Sequence, residues 1–564
     1  MSSNDAGQAC LPVNLELPGS LLFIQLLNHA TQAVATPLIK DLTEGIQRSA
    51  IQLLSDVVHL RQVIRAALPP AALQQLQDGL PLYLTIVAPG GYQFVVAFLA
   101  VLSLGAVASP ISHLCPLKEA CYYVQKAGSR AVIAATTSLK QAQALAHETS
   151  KTTDPSFTCI PVQQGLGLQE FHWSQFTVEN RFRDPNAPGL VIFTSGTTGP
   201  PKAAVIRVGS LDQGTITLAD QLKVTRSDSM LHVLPVHHAT GIWISLLPFL
   251  LRGACVHFKS GTFDSQWTWD YFKQRKVTHF SGVPTIYMRM MHHYQACLAK
   301  LPGGERDQYT ASTAQMKACL CGTSALPRPV EEFWMSMLGG KRIVQRYGST
   351  EAGMVLTMPC DPLEQREIPL GSVGYAAPGV DVKLSEGTTG EIRVKSYNAF
   401  LGFLNDPEST AKAHDSDGYY VSGDLAQRCG NYFSILGRAS VDILKSGGYK
   451  VSALDIEREI LSLPYIKEVS VVGVPDDEFG QRIGAVVQMR SDQGIENLKL
   501  DDLRADLRKN LAGYKLPTLL RVIETELPKS VTNKVVKKTL GPLYFPENYR
   551  SIPEVQVWKH TSKL

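Results

Sequence analysis

The chain has 564 residues and a mass of 61.7 kDa, enough for a large buried core and for several units of about 150 residues each. Apolar residues make up 44% and charged residues 18%, a balance that excludes intrinsic disorder. The 54 basic against 50 acidic side chains leave a net charge of +4, too small on such a surface to imply nucleic acid as a partner. Ten cysteines lie scattered without a CxxC pair, as in a reducing compartment, and Cys319 with Cys321 reads as two small core residues.

The N-terminus is polar and lacks a basic stretch followed by an apolar run, so no secretory leader is expected. Residues 20–80 predict helices, with apolar pairs at helical spacing in LLFIQLLNHA and AIQLLSDVVHLRQVI. From 82 the pattern becomes α/β: strand LYLTIVAP, a helix at 91–104, strand AVASPI, a helix at 116–128 and strand AVIAA. The most apolar window, 93–111, reads as a buried helix running into a buried strand, not as a transmembrane segment. A second α/β run holds VIFTSG, SMLHVLPV, a helix through WISLLPFLL, CVHFKS, a helix, THFSGVP and a helix from 285. Short apolar strands alternating with helices imply parallel sheets covered on both faces. After 370, short alternating strands with glycine turns predict a small β-rich unit. A last α+β module has helices at 453–462 and 501–512 between strands VSVVGVP, RIGAVVQM and RVIET. The expected class is α/β: a large N-terminal body at 1–436, a small mobile C-terminal α+β domain at 437–555, and an exposed tail at 556–564. That tail ends in Ser562, Lys563 and Leu564, an address for the peroxisomal import receptor that predicts the peroxisomal matrix.

Thr194, Ser195, Gly196, Thr197, Thr198, Gly199 and Lys202 form a hydroxyl- and glycine-rich loop straight after strand VIF. Backbone N–H groups and hydroxyls of such a loop can close around phosphate oxygens, and Lys202 adds a cation. It is not a Walker loop, since no GK[ST] follows at the required spacing.

This loop, with LSLGAVASP, LPVHHATG, QRYGSTEAG, GYYVSGDLA, GRASVDILKSGGYKVSALDIE and LPKSVTNK in that order from about 82 to 540, resembles the adenylate-forming superfamily of acyl-CoA synthetases, luciferases and peptide-synthetase adenylation domains. The resemblance implies ATP, Mg²⁺ and CoA as partners of a small-molecule carboxylic acid. It implies that Tyr347 stacks on adenine within Tyr347, Gly348, Ser349, Thr350 and Glu351. Thr350 would contact phosphate and Glu351 would hold Mg²⁺, a hard cation that needs anionic oxygen. Asp424 would grip the ribose hydroxyls, with Arg438 as a second ribose or phosphate contact. Lys534 would meet the carboxylate and α-phosphate during adenylation. Asn533 stands before it where the family usually has glycine; Lys534, Lys537 and Lys538 otherwise read as a basic surface. Ser440 would be the hinge, and Gly447 and Gly448 would flank the CoA passage.

The same segments are most similar to the malonyl-CoA synthetase branch, where an arginine on the helix after GVPT pairs with a distal carboxylate; Arg289 takes that position. His237 and His238 would close over the acyl site, His238 matching the family's histidine, with Gly322 and Thr323 on the pocket wall. Trp243 and Met288 would narrow the tunnel. Ala203 after Lys202 and the stretch from Cys321 to Ala325 depart from the family pattern. They leave room for a fatty, aryl or polycarboxylic acid, as in secondary metabolism. A stand-alone adenylation enzyme that loads a carrier protein and a degenerate binding protein are the other classes to separate.

Overall fold

The computed structural model describes residues 13–32, 36–194, 200–447, 449–477, 479–490, 498–529 and 535–558. Among these, two large sheets build the N-terminal body. The first runs Gly402–Phe403, Lys202–Arg207, Pro188–Thr194, Val107–Ile111, Tyr83–Val87, Ala131–Ala134 and Thr158–Pro161; its last five strands are parallel. The second runs from Tyr375–Ala376 through Gly353–Thr357, Val344–Ser349, Ala318–Cys321, His279–Gly282, Ser229–His232 and Cys255–Phe258 to Pro37–Asp41 and Ile46–Ser49. Its six central strands are parallel. The parallel strands are four to seven residues long and most of their residues are buried, because helices cover both faces.

Helices Ala50–Ala67 and Tyr92–Ser103 pack against each other. Every residue of Tyr92–Ser103 is buried, as befits a helix that is apolar all round. Its N-terminus is held by Asp41, whose Oδ2 accepts the Tyr92 N–H at 2.9 Å. The Tyr92 hydroxyl donates to Asp56 at 2.6 Å. One continuous apolar core therefore joins both sheets, and it extends into the β-rich unit through Ile392, Val394, Ala426 and Phe433. That unit is an antiparallel sheet in the order Val380–Leu384, Thr389–Ser396, Tyr420–Cys429, Tyr432–Arg438. No helix among the described residues is long and apolar enough to cross a membrane.

The C-terminal sheet is mixed and carries a core on each face. Helices Ala453–Leu461 and Leu500–Leu507 cover one, and Lys537–Tyr544 covers the other. Cys319 and Cys321 are buried strand residues, as expected, and burial pushes the Cys319 thiol up to about 12.

Three expectations change. The segment 20–80 is not all helix: it includes strands Pro37–Asp41 and Ile46–Ser49, which close the edge of the second sheet beside Cys255–Phe258. The C-terminal helix expected at 501–512 stops at Leu507. Residues 556–558 are not exposed tail: Val555–Val557 is a strand paired with Leu519–Ile523, and the Arg504 guanidinium lies over the Trp558 ring at 3.9 Å.

Candidate active site

Strand Val344–Ser349 turns at Thr350 and Glu351 into strand Gly353–Thr357. The turn is tight: a Cβ at Gly348 would stand 2.2 Å from the Gly353 carbonyl oxygen, so no other residue fits there. The Ser349 hydroxyl accepts the Ala352 N–H at 3.1 Å, and the Glu351 carbonyl accepts the Phe400 N–H at 2.7 Å. The half-buried Glu351 carboxylate makes no hydrogen bond or ion pair among the described residues.

Across from this turn, Asp424 and Arg438 are directly opposed on strands Tyr420–Cys429 and Tyr432–Arg438. Arg438 Nε donates to Asp424 Oδ1 at 3.1 Å, and the Tyr347 hydroxyl donates to Oδ2 at 2.8 Å. Burial opposes the Arg438 charge, but the neighbouring Asp424 carboxylate outweighs it and the Arg438 pKa is raised. Burial together with Asp424 holds the Tyr347 phenol well above its usual range. Tyr347, Gly348, Ser349, Thr350, Glu351, Asp424 and Arg438 thus form one wall, as the sequence motifs imply. Tyr420, which the motif reading passed over, belongs to it: burial and the Glu351 carboxylate keep its phenol protonated.

Thr194 and Lys202 are cross-strand partners at the ends of two antiparallel strands. The Lys202 ammonium lies 5.0 Å from the centre of the Phe403 ring. Ser195, Gly196, Thr197, Thr198, Gly199, Gly448, Lys534 and the Ser562–Leu564 address lie outside the described residues.

Side chains alternate along a strand, so Arg346 turns away from the face that Tyr347 presents to Asp424. There it lines a cleft of about 280 Å³, open mouth included, with Leu234, Ser281, Cys321, Gly322 and Thr323. Thr323 has a positive φ of 76°, a strained conformation of the kind found at ligand sites. Arg346 is 6% exposed, and none of its three guanidinium nitrogens has a hydrogen-bond partner among the described residues. Trp243 is a core residue instead of a tunnel wall, its indole N–H donating to the Ser210 carbonyl at 3.1 Å.

His237 and His238 sit with ring centres 4.3 Å apart on the turn that follows strand Ser229–His232. His232 Nε2 meets the Gly241 carbonyl at 2.8 Å and so pins the far end of that turn. Burial, then the neighbouring His238, lowers the His237 pKa to about 3. Burial holds His232, His257 and His279 at about 4. On unfolding each imidazole regains its ordinary value near 6.5, so between about pH 4 and 6.5 the unfolded chain binds more protons and stability rises with pH. The melting temperature should therefore be level above pH 7 and fall steadily from pH 6.5 to 4.5. His257→Gln should flatten part of that slope, and a melting temperature constant from pH 7 to 5 would contradict these protonation states.

Arg289 does not line the cleft beside Arg346. It lies on helix Pro284–Ala296, 37% exposed, with its guanidinium 3.8 Å from Glu526 of the C-terminal unit. Arg490 of that unit also meets His292 on the same helix at 2.8 Å. Ser440 is exposed in the turn between the β-rich sheet and the C-terminal sheet. That turn is anchored by Asp442, which accepts the Arg438 N–H at 2.9 Å and pairs with Lys537 at 2.6 Å. Lys537 is not a surface lysine; it lies between Asp442 and Glu457, the latter at 2.8 Å. Gly447 has φ 56° and donates its N–H to the Phe479 carbonyl of the same unit.

The family model described as AMP-binding enzyme matches residues 42–404, and the one described as AMP-binding enzyme C-terminal domain matches 455–534. Acyl-CoA ligase oryP of Aspergillus oryzae is 30% identical, over 94% of this chain and 93% of that one. The mitochondrial malonate–CoA ligase ACSF3 of Xenopus laevis is 31% identical, over 92% and 93%. The ATP-bound crystal structure of MatB from Rhodopseudomonas palustris has the same fold, with a TM-score of 0.76 and 24% identity over 93% of this chain and 99% of that one.

Proposed function

The chain belongs to the AMP-binding enzyme family and is an acid–thiol ligase; on that premise we propose that it converts a short dicarboxylic acid of the malonate type to its CoA thioester through an acyl-adenylate. One observation supports this reading above others. A single strand, Val344–Ser349, presents Tyr347 to Asp424 on one side and lines a small cleft with Arg346 on the other. A nucleotide and an acid bound on the two sides would meet at its end, beside Thr350 and Glu351.

In this reading Tyr347 supports the adenine and Asp424 accepts hydrogen bonds from the ribose hydroxyls, with Arg438 beside it. The acid's carboxylate oxygen attacks the α-phosphorus, the bond to the β-phosphate oxygen breaks and pyrophosphate leaves. Lys534 would offset the charge that builds on the α-phosphoryl oxygens. Glu351 and Thr350 offer oxygen donors that fit Mg²⁺, which when bound would neutralise the phosphate oxygens. His237, neutral at physiological pH, closes the acid side without adding a buried charge, with His238 beside it. In the second step the CoA sulfur attacks the acyl carbon, the acyl–phosphate bond breaks and AMP leaves. Gly447 and Gly448 would give the pantetheine arm a passage free of side chains.

The test is acid-dependent pyrophosphate release, with and without CoA, across malonate, methylmalonate, succinate, butyrate, octanoate and an aryl acid. The short dicarboxylates should give the highest kcat/KM, and CoA should be consumed in step with AMP formation. A preference for octanoate or the aryl acid would replace the substrate class, and product formed only on a carrier protein would replace the acceptor. Release with none of these acids would sink the activation of any acid of these classes.

A further inference from the structure

We propose that Phe403 is a positioning residue for Lys202: its ring fixes where the lysine's ammonium stands relative to the Glu351 turn. The proposal rests on the reading of ATP as a substrate and names a residue that lies outside the sequence motifs of the site.

A lysine stem is flexible, and its ammonium takes a fixed place only where a contact holds it. The backbone at Lys202 is already held: Lys202 pairs with Thr194 across the two strands, and the Tyr122 hydroxyl donates to the Pro201 carbonyl at 2.8 Å. The side chain lies over Phe403. Lys202 and Ala204 point to the same face of strand Lys202–Arg207, and Phe403 stands opposite Ala204. Ring and ammonium are therefore diagonal neighbours on one face, with the ammonium 5.0 Å from the ring centre. Lys383 and Lys273 also lie over tyrosine rings, but they have Asp417 at 3.0 Å and Glu305 at 3.9 Å as partners. Lys202 has no carboxylate within ion-pair distance among the described residues. Asp406 feels its charge but spends its own carboxylate on the Ser409 N–H, at 3.0 Å, to cap helix Pro407–Lys412. The ring thus holds the ammonium without neutralising it, which leaves the charge for a phosphate.

Phe403 is itself tied to the wall that carries Glu351. The Phe400 N–H donates to the Glu351 carbonyl at 2.7 Å, the Leu401 N–H to the Val205 carbonyl at 2.7 Å and the Leu404 N–H to the Ala203 carbonyl at 2.8 Å. Residues 400–404 therefore brace the Glu351 turn against the strand that begins at Lys202. The Phe403 N–H donates to the Thr410 hydroxyl at 2.8 Å. Its ring packs edge-on against Phe400, with centres 4.9 Å apart, and Phe400 packs edge-on against Tyr420 at 5.8 Å. The ring that carries the ammonium is locked by the same residues that line the wall.

The experiment compares wild type, Phe403→Leu, Phe403→Tyr, Lys202→Ala and the double variant Phe403→Leu with Lys202→Ala, as full-length proteins. It measures affinity for ATP with Mg²⁺ by calorimetry, without any acid, and melting temperature as the check on folding. Phe403→Leu should weaken ATP binding about three- to tenfold, the range of a cation–π contact at a half-buried site. Lys202→Ala should weaken it at least as much. Phe403→Tyr keeps an aromatic face and should recover most of the loss. Once Lys202 is alanine, adding Phe403→Leu should weaken ATP binding no further, because the ring then has nothing to hold. A ring that only packs the brace would act equally with and without Lys202. Unchanged or tighter ATP binding in Phe403→Leu, wild-type affinity in Lys202→Ala, or an equal loss in the two backgrounds would each overturn the assignment. Should Phe403→Leu fail to fold, Phe403→Met enters the same cycle. A wild type that binds no ATP would remove the reading on which the proposal rests, a failure visible before any variant is made.

Discussion

Replacing Lys534 with alanine is expected to slow acyl-adenylate formation by about 10²–10³-fold while sparing thioester formation from supplied acyl-adenylate. The physical basis is charge. In the first step negative charge builds on the α-phosphoryl oxygens, and a lysine placed there stabilises the transition state more than the ground state. In the second step sulfur attacks the acyl carbon and phosphorus keeps its four ligands, so there is no pentavalent phosphorus centre for the lysine to stabilise. Lys534 itself lies outside the described residues, but its flanks are informative. Lys529 and Val535 form an antiparallel bridge, which brings the two ends of the intervening segment together. Lys529 pairs with Glu468 and stands 3.7 Å from Glu526, and Glu526 reaches Arg289 on the helix beside the acid cleft. Lys529 is thereby linked through Glu526 to helix Pro284–Ala296 of the N-terminal body. The measurement is pyrophosphate release with acid and ATP, set against CoA consumption with synthetic acyl-adenylate. A variant that adenylates at the wild-type rate would remove the lysine assignment, and one that loses both half-reactions equally would point to misfolding.

The parts of the site that lie in continuous stretches were legible in the sequence, and the parts that depend on distant pairing were not. Tyr347, Thr350 and Glu351 share one turn, and Asp424 and Arg438 end up facing each other because their motifs bound the same β-hairpin. Their types and order sufficed to anticipate that these residues share one wall. Strands Pro37–Asp41 and Ile46–Ser49 were read as helix because Lys40, Gln47 and Arg48 interrupt any apolar alternation. Pro37–Asp41 pairs with Cys255–Phe258, far along the chain, and Ile46–Ser49 pairs with Pro37–Asp41; such pairing overrides local propensity. The burial of Lys537 follows from Asp442 and Glu457, which no local pattern connects to it. Arg346 stood in plain view inside QRYGST, next to Tyr347. What sets it apart is that its guanidinium has no hydrogen-bond partner among the described residues, and only the folded chain can show that. Arg289 was found by position, yet its contact with Glu526 depends on how the two units meet.

Asp424→Ala should raise the KM for ATP by about 100-fold and leave the KM for the acid within a few-fold of wild type. Asp424 is the one carboxylate that both Tyr347 and Arg438 address, and its side chain is 13% exposed. A carboxylate held this way is pre-aimed, so hydrogen bonds from two ribose hydroxyls would need little reordering. Bonds to a charged acceptor contribute about 1.5–3 kcal/mol each, or about 3–6 kcal/mol for the pair. Part of that is lost because the bound hydroxyls must share Oδ1 and Oδ2 with Arg438 Nε and the Tyr347 hydroxyl. A net effect of about 3 kcal/mol, close to 100-fold in affinity, is therefore expected. Arg438 is 45% exposed and can turn to water once Asp424 is gone, but the buried Tyr347 hydroxyl cannot do so as freely. Asp424→Ala should thus loosen the ring that supports adenine as well as the ribose grip, whereas Tyr347→Phe, which keeps the carboxylate, should weaken ATP binding much less. The acid cleft lies on the other face of strand Val344–Ser349, so its affinity for the acid should not follow that of ATP. Steady-state kinetics with each substrate varied in turn separate the two constants. A KM for ATP within threefold of wild type would show that Asp424 serves the hairpin and not the nucleotide.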